Sequence, residues 1–144
     1  MSDNNGKLGV TVHFAAKTIY DKALTNEFKN LIVGKFEDAI NKSSKLEVDD
    51  HPKNGFILNV TLELPRDDKS KPPVLKGAIS VAIMGVGITP TTANIKPASP
   101  NFADVGSNPR STLSQAKLLV TTILERGVLS KAIAAMEARV PVPS

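Results

Sequence analysis

The segment from Phe56 to Leu64 constrains the fold of this chain more than any other, because its side chains alternate between apolar and polar. Successive side chains of a β-strand point to opposite faces of the sheet, so this strand has one apolar and one polar face. The apolar positions are Phe56, Leu58, Val60, Leu62 and Leu64, and the polar positions are Asn59, Thr61 and Glu63. Such a strand belongs to a sheet that is covered on one face only, and helices are the expected cover.

The length and composition fit one globular domain. The chain has 144 residues, of which 41% are hydrophobic and only 4% aromatic, so its core must be built mainly from Leu, Ile, Val and Ala. We expect a flexible polar tether at residues 1–6 and a single domain at residues 7–139. Residues 140–144 are expected to form an extended tail, because its prolines exclude a helix.

Hydrophobic periodicity predicts the elements of this domain. Strands are expected at residues 7–16, 45–49, 56–64 and 74–88, and helices at residues 25–43 and 112–139. Thr25 is the expected N-cap of the first helix, and Thr112 with Gln115 matches a capping box at the start of the second. Gly127 interrupts the second helix as a C-cap or a kink. The remaining segments are expected to be a connection at residues 17–23 and a long loop at residues 89–110.

These elements follow one another in the order β-α-β-β-β-α(α), which predicts an α+β fold. Short turns join the strands at residues 45–49, 56–64 and 74–88, so we expect these strands to form an antiparallel meander. The fold is therefore predicted to be a two-layer sandwich in which helices cover one face of a mostly antiparallel sheet.

The net charge of +4 and the pI of about 9.4 raise the question of nucleic-acid binding. The basic excess is diffuse, since residues 17–53 hold seven lysines and seven acidic residues, which cancel. A sheet that binds RNA also needs exposed aromatic side chains, whereas Phe14 and Phe56 lie on the predicted apolar faces. We therefore expect a solvated basic surface, with nucleic acid as a disfavoured partner.

No residue pattern in the chain predicts catalysis. The absence of cysteine excludes disulfides, thiolate metal sites and cysteine nucleophiles. His13 is expected on the polar face of the first strand, and His51 in a solvated turn after two aspartates. The pair Gly85 and Gly87 lacks the third glycine and the helix of a dinucleotide-binding loop. We predict that the protein is not an enzyme and has no catalytic residue, no metal site and no cofactor.

Function is therefore expected in the connecting segments, where side chains are placed to meet a partner. The candidate contact residues are Tyr20, His51, Phe102 and Arg110. Tyr20 and Phe102 are the aromatic residues that we expect to be exposed. Phe102 and Arg110 belong to the long loop at residues 89–110, which makes that loop the main candidate for a binding segment.

The order of elements in residues 7–139 resembles that of small bacterial cell-envelope lipoproteins of the periplasmic accessory type, which assist envelope assembly. The polar start from Met1 to Gly6 is similar to the tether that follows the lipid-bearing cysteine of such proteins. The likeness concerns element order alone, and no family motif transfers residue by residue. It implies a non-catalytic binding or structural module of the periplasm or outer membrane, held by a lipid anchor and working with a protein or another envelope partner.

The alternative is a cytoplasmic module that begins at Met1 and binds nucleic acid or protein through its diffuse basic surface. No apolar run approaches the roughly 20 residues that a membrane-spanning helix needs. The codons before Ser2 in the gene distinguish the two hypotheses. A signal sequence followed by a cysteine immediately before Ser2 supports the envelope protein, and a gene that starts at Met1 contradicts it.

Overall fold

The computed structural model describes residues 7–67, 74–87, 92–95 and 113–139, and its fold is α+β with a five-stranded sheet. The strands are β1 (Leu8–Ile19), β2 (Leu46–Val48), β3 (Gly55–Leu64), β4 (Arg66–Asp67), β5 (Val74–Leu75), β6 (Ala78–Val86) and β7 (Thr92–Ile95). The helices are α1 (Thr25–Asn41), α2 (Leu113–Ile123) and α3 (Leu129–Glu137). A 3-10 turn, Lys22–Leu24, precedes α1, and a π turn, Leu124–Val128, joins α2 to α3.

The sheet is mixed, with the strand order β2-β1-β3-β6-β7. Both β2 and β3 run parallel to β1, while β6 is antiparallel to β3 and β7 is antiparallel to β6. The predicted mostly antiparallel meander is therefore wrong at β2, which pairs with β1 instead of β3. The reason is α1, because a helix between two paired strands returns the chain to the end where the first strand began, and the strands are then parallel.

The connection between β2 and β3, residues 49–54, crosses β1 at Gly9. A Cβ atom placed on Gly9 would lie 2.7 Å from Cβ of Asp49 and 3.0 Å from Cβ of Pro52. Leu8 and Val10 are buried in the core, so Gly9 points to the opposite face of the sheet and the loop crosses there. Parallel strands usually need a connection of about a dozen residues. The short strand β2 and the missing side chain of Gly9 permit this shorter crossing.

Three predicted boundaries change in the structure. The first strand continues past residue 16 to Ile19, through an irregularity in its register with β3 between Ala16 and Thr18, so residues 17–23 are not simply a connection. The strand predicted at residues 74–88 is divided into β5 and β6, and β5 pairs with β4 in a separate two-stranded ribbon. A further short strand, β7, lies within residues 89–110, which were predicted to be a loop.

The core lies between one face of the sheet and the helices. The alternation predicted for β3 is confirmed, since every second residue from Phe56 to Leu64 is buried and the residues between them are half-buried. From α1 the fully buried side chains are Phe28, Ile32, Phe36 and Ile40. From α2, the π turn and α3 they are chiefly Leu119, Val120, Ile123, Leu124 and Met136. The predicted cover of one sheet face by helices agrees with this single core.

The helix ends differ from their predictions in detail. Thr25 is the first residue of α1 and not its N-cap, because its hydroxyl donates to the carbonyl of Lys22 at 2.8 Å. Asp21 caps the preceding 3-10 turn and accepts from the amide of Ala23 at 3.0 Å. The kink at Gly127 is confirmed, since its φ of 150° lies outside the helical region. The predicted capping box includes Thr112, which lies outside the described residues.

Candidate functional site

The two predicted contact residues that the structure describes, Tyr20 and His51, lie far apart. Tyr20 follows β1 and is half-buried, whereas His51 is exposed in the loop that crosses β1 at Gly9. Eleven strand positions, or roughly 35 Å, separate these two ends of β1. Phe102 and Arg110 lie outside the described residues, so their role stays a prediction. The same holds for the tether at residues 1–6.

Tyr20 and His51 are each fixed by the local backbone. The amide of Tyr20 donates to the carbonyl of Leu64 at 2.9 Å, and burial, followed by the charge of Asp21, raises the pKa of the Tyr20 phenol above 10.0. The amide of His51 donates to Oδ1 of Asp49 at 3.0 Å, which is a turn of the Asx type. This hydrogen bond between His51 and Asp49 shapes the crossing loop at residues 49–54.

The described residues form neither a cluster of metal ligands nor a membrane-spanning helix. Within the described ranges, no three His, Asp or Glu side chains are placed to hold a metal ion. No described helix is long and apolar enough to cross a membrane. The candidate site is instead an edge of the sheet, formed by the backbone of β1.

The described strands pair with one side of β1 along most of its length and with the other side only at its start. On one side, β3 accompanies β1 from Gly9 to Ile19. On the other side, β2 accompanies it only from Leu8 to Val10. From Thr11 onward, no strand among the described residues continues β2. We call the stretch Thr11–Lys17 the open edge.

The hydrogen bonds at the start of β1 fix which groups face the open edge. The amide of Leu8 donates to Lys45 at 3.0 Å, on the side of β2, and the amide of Gly9 donates to Asn54 at 3.1 Å, on the side of β3. Backbone groups of successive strand residues point in opposite directions within the sheet. The amides of Val12, Phe14 and Ala16 therefore point to the open edge, and those of Thr11, His13 and Ala15 to β3.

The open edge ends at the register irregularity after Ala16. Beyond it the alternation is reversed, because the amide of Tyr20, an even-numbered residue, donates to Leu64 of β3. An extra residue of this kind bends the strand and interrupts regular pairing. The edge is thus bounded by β2 at one end and by the irregularity at the other.

The side chains of the open edge are suited to pairing. Val12 and Phe14 lie on the helix side, partly buried against the core, while His13, Ala15 and Ala16 are exposed. Within Thr11–Lys17 there is no acidic residue and no proline. Natural proteins usually protect an exposed edge with charges, prolines or bulges. Here Lys17 and the irregularity protect only its far end.

A buried contact fixes the short strand β2 in place. The hydroxyl of Ser43, which is 8% exposed, donates to Oε2 of Glu137 at 2.6 Å. It also accepts from the amide of Lys45 at 3.1 Å, directly before β2. The chain is thereby tied to the end of α3 as it enters β2, and this tie positions the strand at the start of β1.

The open edge was not among the features predicted from the sequence. The sequence signal for it was the difference in length between the first two predicted strands, residues 7–16 and 45–49, combined with the helix between them. A helical connection favours parallel pairing, and a short strand beside a long one leaves part of the long one unpaired.

No protein-family model, no curated protein and no solved structure matches the chain.

Proposed function

We propose that this chain is a non-catalytic protein-binding module that receives a β-strand of its partner at the open edge of β1. The observation that supports this most is the alternation of the ladder, which points the amides of Val12, Phe14 and Ala16 to a side where β2 has ended. Addition of a strand to a sheet edge is a common mode of peptide recognition, in which main-chain hydrogen bonds give affinity and side-chain contacts give specificity.

The energetics agree with a reversible interaction. Each main-chain hydrogen bond contributes a net stability of about 1 kcal/mol. The partly buried side chains of Val12 and Phe14 add apolar contact with the neighbours of an incoming strand. A partner that pairs along the open edge therefore gains both the main-chain hydrogen bonds and the apolar contact.

The cellular compartment of the module stays a prediction. The envelope hypothesis depends on residues 1–6, which the structure does not describe, and the cytoplasmic alternative depends on the same segment. The upstream codons decide between them. Strand addition at β1 does not depend on which compartment holds the protein.

The test uses a short fluorescein-labelled peptide of alternating Thr and Val, whose binding is followed by fluorescence anisotropy. We expect saturable binding to the natural protein and loss of binding to Ala16→Pro, because proline removes an outward amide and crowds the edge. Ala16→Ser keeps the amide and is the matched control. Equal binding by Ala16→Pro and the natural protein would contradict the proposal.

A further inference from the structure

The open edge and the tail at residues 140–144 have matching backbone patterns, and we infer that the edge receives the tail of a second copy of this chain as an antiparallel strand. This inference rests on the proposed function and names the partner. The tail lies outside the described residues, and its sequence, the backbone of β1 and the position of the end of α3 support the inference.

The backbone donors of the tail lie at every second position. Its sequence is Val-Pro-Val-Pro-Ser, and proline has no amide hydrogen, so the donors belong to Val140, Val142 and Ser144. In an extended strand, the backbone groups of alternate residues point to the same side. An extended tail therefore has one side with three amides and one side, at Pro141 and Pro143, with none.

The open edge presents its own backbone groups with the same spacing. Val12, Phe14 and Ala16 point outward, as the hydrogen bonds at the start of β1 establish. Three outward residues of the edge thus match three donor-bearing residues of the tail. In an antiparallel ladder, each of these pairs can exchange two main-chain hydrogen bonds.

The side chains favour the antiparallel direction. In an antiparallel pair, residues that exchange hydrogen bonds lie directly opposite each other and share a face of the sheet. Val142 would then lie beside Phe14 on the helix side, where Phe14 is partly buried against the core. In a parallel pair, a proline would lie opposite Phe14, and the valines would lie on the other face, where His13 and Ala15 are exposed.

The tail must come from another copy, because α3 ends too far from the point where an antiparallel strand enters the edge. That strand places Val140 opposite Ala16, at the far end. Glu137, the last residue of α3, accepts from the hydroxyl of Ser43 at 2.6 Å, directly before β2. β2 pairs with β1 from Leu8 onward. Eight strand positions, or roughly 26 Å, separate Leu8 from Ala16, whereas the three residues from Glu137 to Val140 span at most about 11 Å.

The prolines of the tail limit the assembly. Once the tail is paired, Pro141 and Pro143 lie on the outer side of the new strand and offer no amide to a further strand. Each contact uses one tail and one edge, and every copy has one of each, so the copies associate head to tail. A contact of five residues is much smaller than a standard interface, so association is reversible and requires a high protein concentration.

The experiment follows self-association of the whole chain by sedimentation velocity over a wide range of concentrations. We expect a reversible oligomer at high concentration. Val142→Pro removes the central donor of the tail and Ala16→Pro blocks the edge, so each variant alone should stay monomeric. Val142→Thr and Ala16→Ser keep both amides and should associate like the natural protein. A mixture of the two proline variants should form a heterodimer, because the intact tail of one meets the intact edge of the other.

A fluorescein-labelled peptide measures the same contact on dilute protein. The peptide has the sequence of residues 138–144, and its matched control has the same composition but ends in Val-Val-Pro-Pro-Ser, so that its donors no longer alternate. We expect the control to bind at least about fivefold more weakly, which corresponds to one main-chain hydrogen bond of about 1 kcal/mol. Equal binding of the two peptides would overturn the inference.

The remaining outcomes separate this inference from the proposed function. A chain that stays monomeric at every concentration, but still binds the peptide of alternating Thr and Val, would overturn the tail as occupant and leave strand addition standing. An oligomer that Ala16→Pro abolishes and Val142→Pro retains would show that two β1 edges pair with each other, which overturns the inference as well. Binding of neither peptide would overturn both proposals.

Discussion

The two halves of β1 share one strand and one partner, β3, but differ in what lies on their other side. At Leu8–Val10, the strand β2 completes the ladder and the crossing loop covers Gly9. At Thr11–Lys17, the described residues supply no such strand, and the outward amides of the ladder point to a side where no described strand pairs with them. The comparison shows that one strand is paired on both sides at its start and, among the described residues, on one side only along the rest of its length.

The adjacent alanines at positions 15 and 16 give the sharpest contrast within the open edge, since both are exposed. Ala15→Pro removes an amide that donates to β3, so we expect it to lower the free energy of unfolding by about 3 kcal/mol. Ala16→Pro removes an outward amide, and its cost should stay below about 1 kcal/mol. Urea denaturation measures both. Equal destabilisation would show that the alternation is assigned incorrectly.

The covered half is tested at Gly9, where a side chain would meet the crossing loop. We expect Gly9→Ala to lower the free energy of unfolding by about 2 kcal/mol, because its Cβ would lie 2.7 Å from that of Asp49. Gly34→Ala is the matched control within α1, with no atom near the added methyl group. It should raise stability by about 0.5–1 kcal/mol. A tolerated Gly9→Ala would place the loop elsewhere.

Tyr20 reports on the far end of β1, beyond the irregularity, and it is the single tyrosine of the chain. Burial raises its pKa in the folded protein above 10.0, so the folded state holds this proton more tightly than the unfolded state. Its contribution to stability is therefore complete below pH 10.0 and is lost as the pH rises through the folded pKa. Ultraviolet titration measures the midpoint, and a value at or below 10.0 would contradict this burial.

The sequence predicted the individual strands and helices whose formation depends on a local pattern of residues. The alternation of Phe56–Leu64 identified β3 and its buried face, and the periodic stripe from Phe28 to Ile40 identified α1. Capping was less predictable at Thr25, because threonine donates to a backbone carbonyl as readily as it accepts from an amide. These are short-range properties, which the neighbouring residues determine.

The topology and the candidate site escaped prediction because they depend on distant pairs. The loop at residues 49–54 is rich in turn-forming residues and indicated a hairpin, yet it crosses β1 because α1 had already set β2 parallel to it. An open edge is not a property of β1 alone, since it exists only because β2 stops at Val48. Tyr20 and His51 were selected as exposed residues of connecting segments, and the structure places them at opposite ends of β1.

Amide hydrogen exchange along β1 tests the central claim most directly. In the protein alone, we predict slow exchange at Thr11, His13 and Ala15, which donate to β3, and fast exchange at Val12, Phe14 and Ala16. Adding the peptide of alternating Thr and Val should slow exchange at Val12, Phe14 and Ala16 and leave it unchanged at Thr11, His13 and Ala15. Uniform protection from Thr11 to Ala16 in the protein alone, or an unchanged fast set in the presence of saturating peptide, would contradict the account.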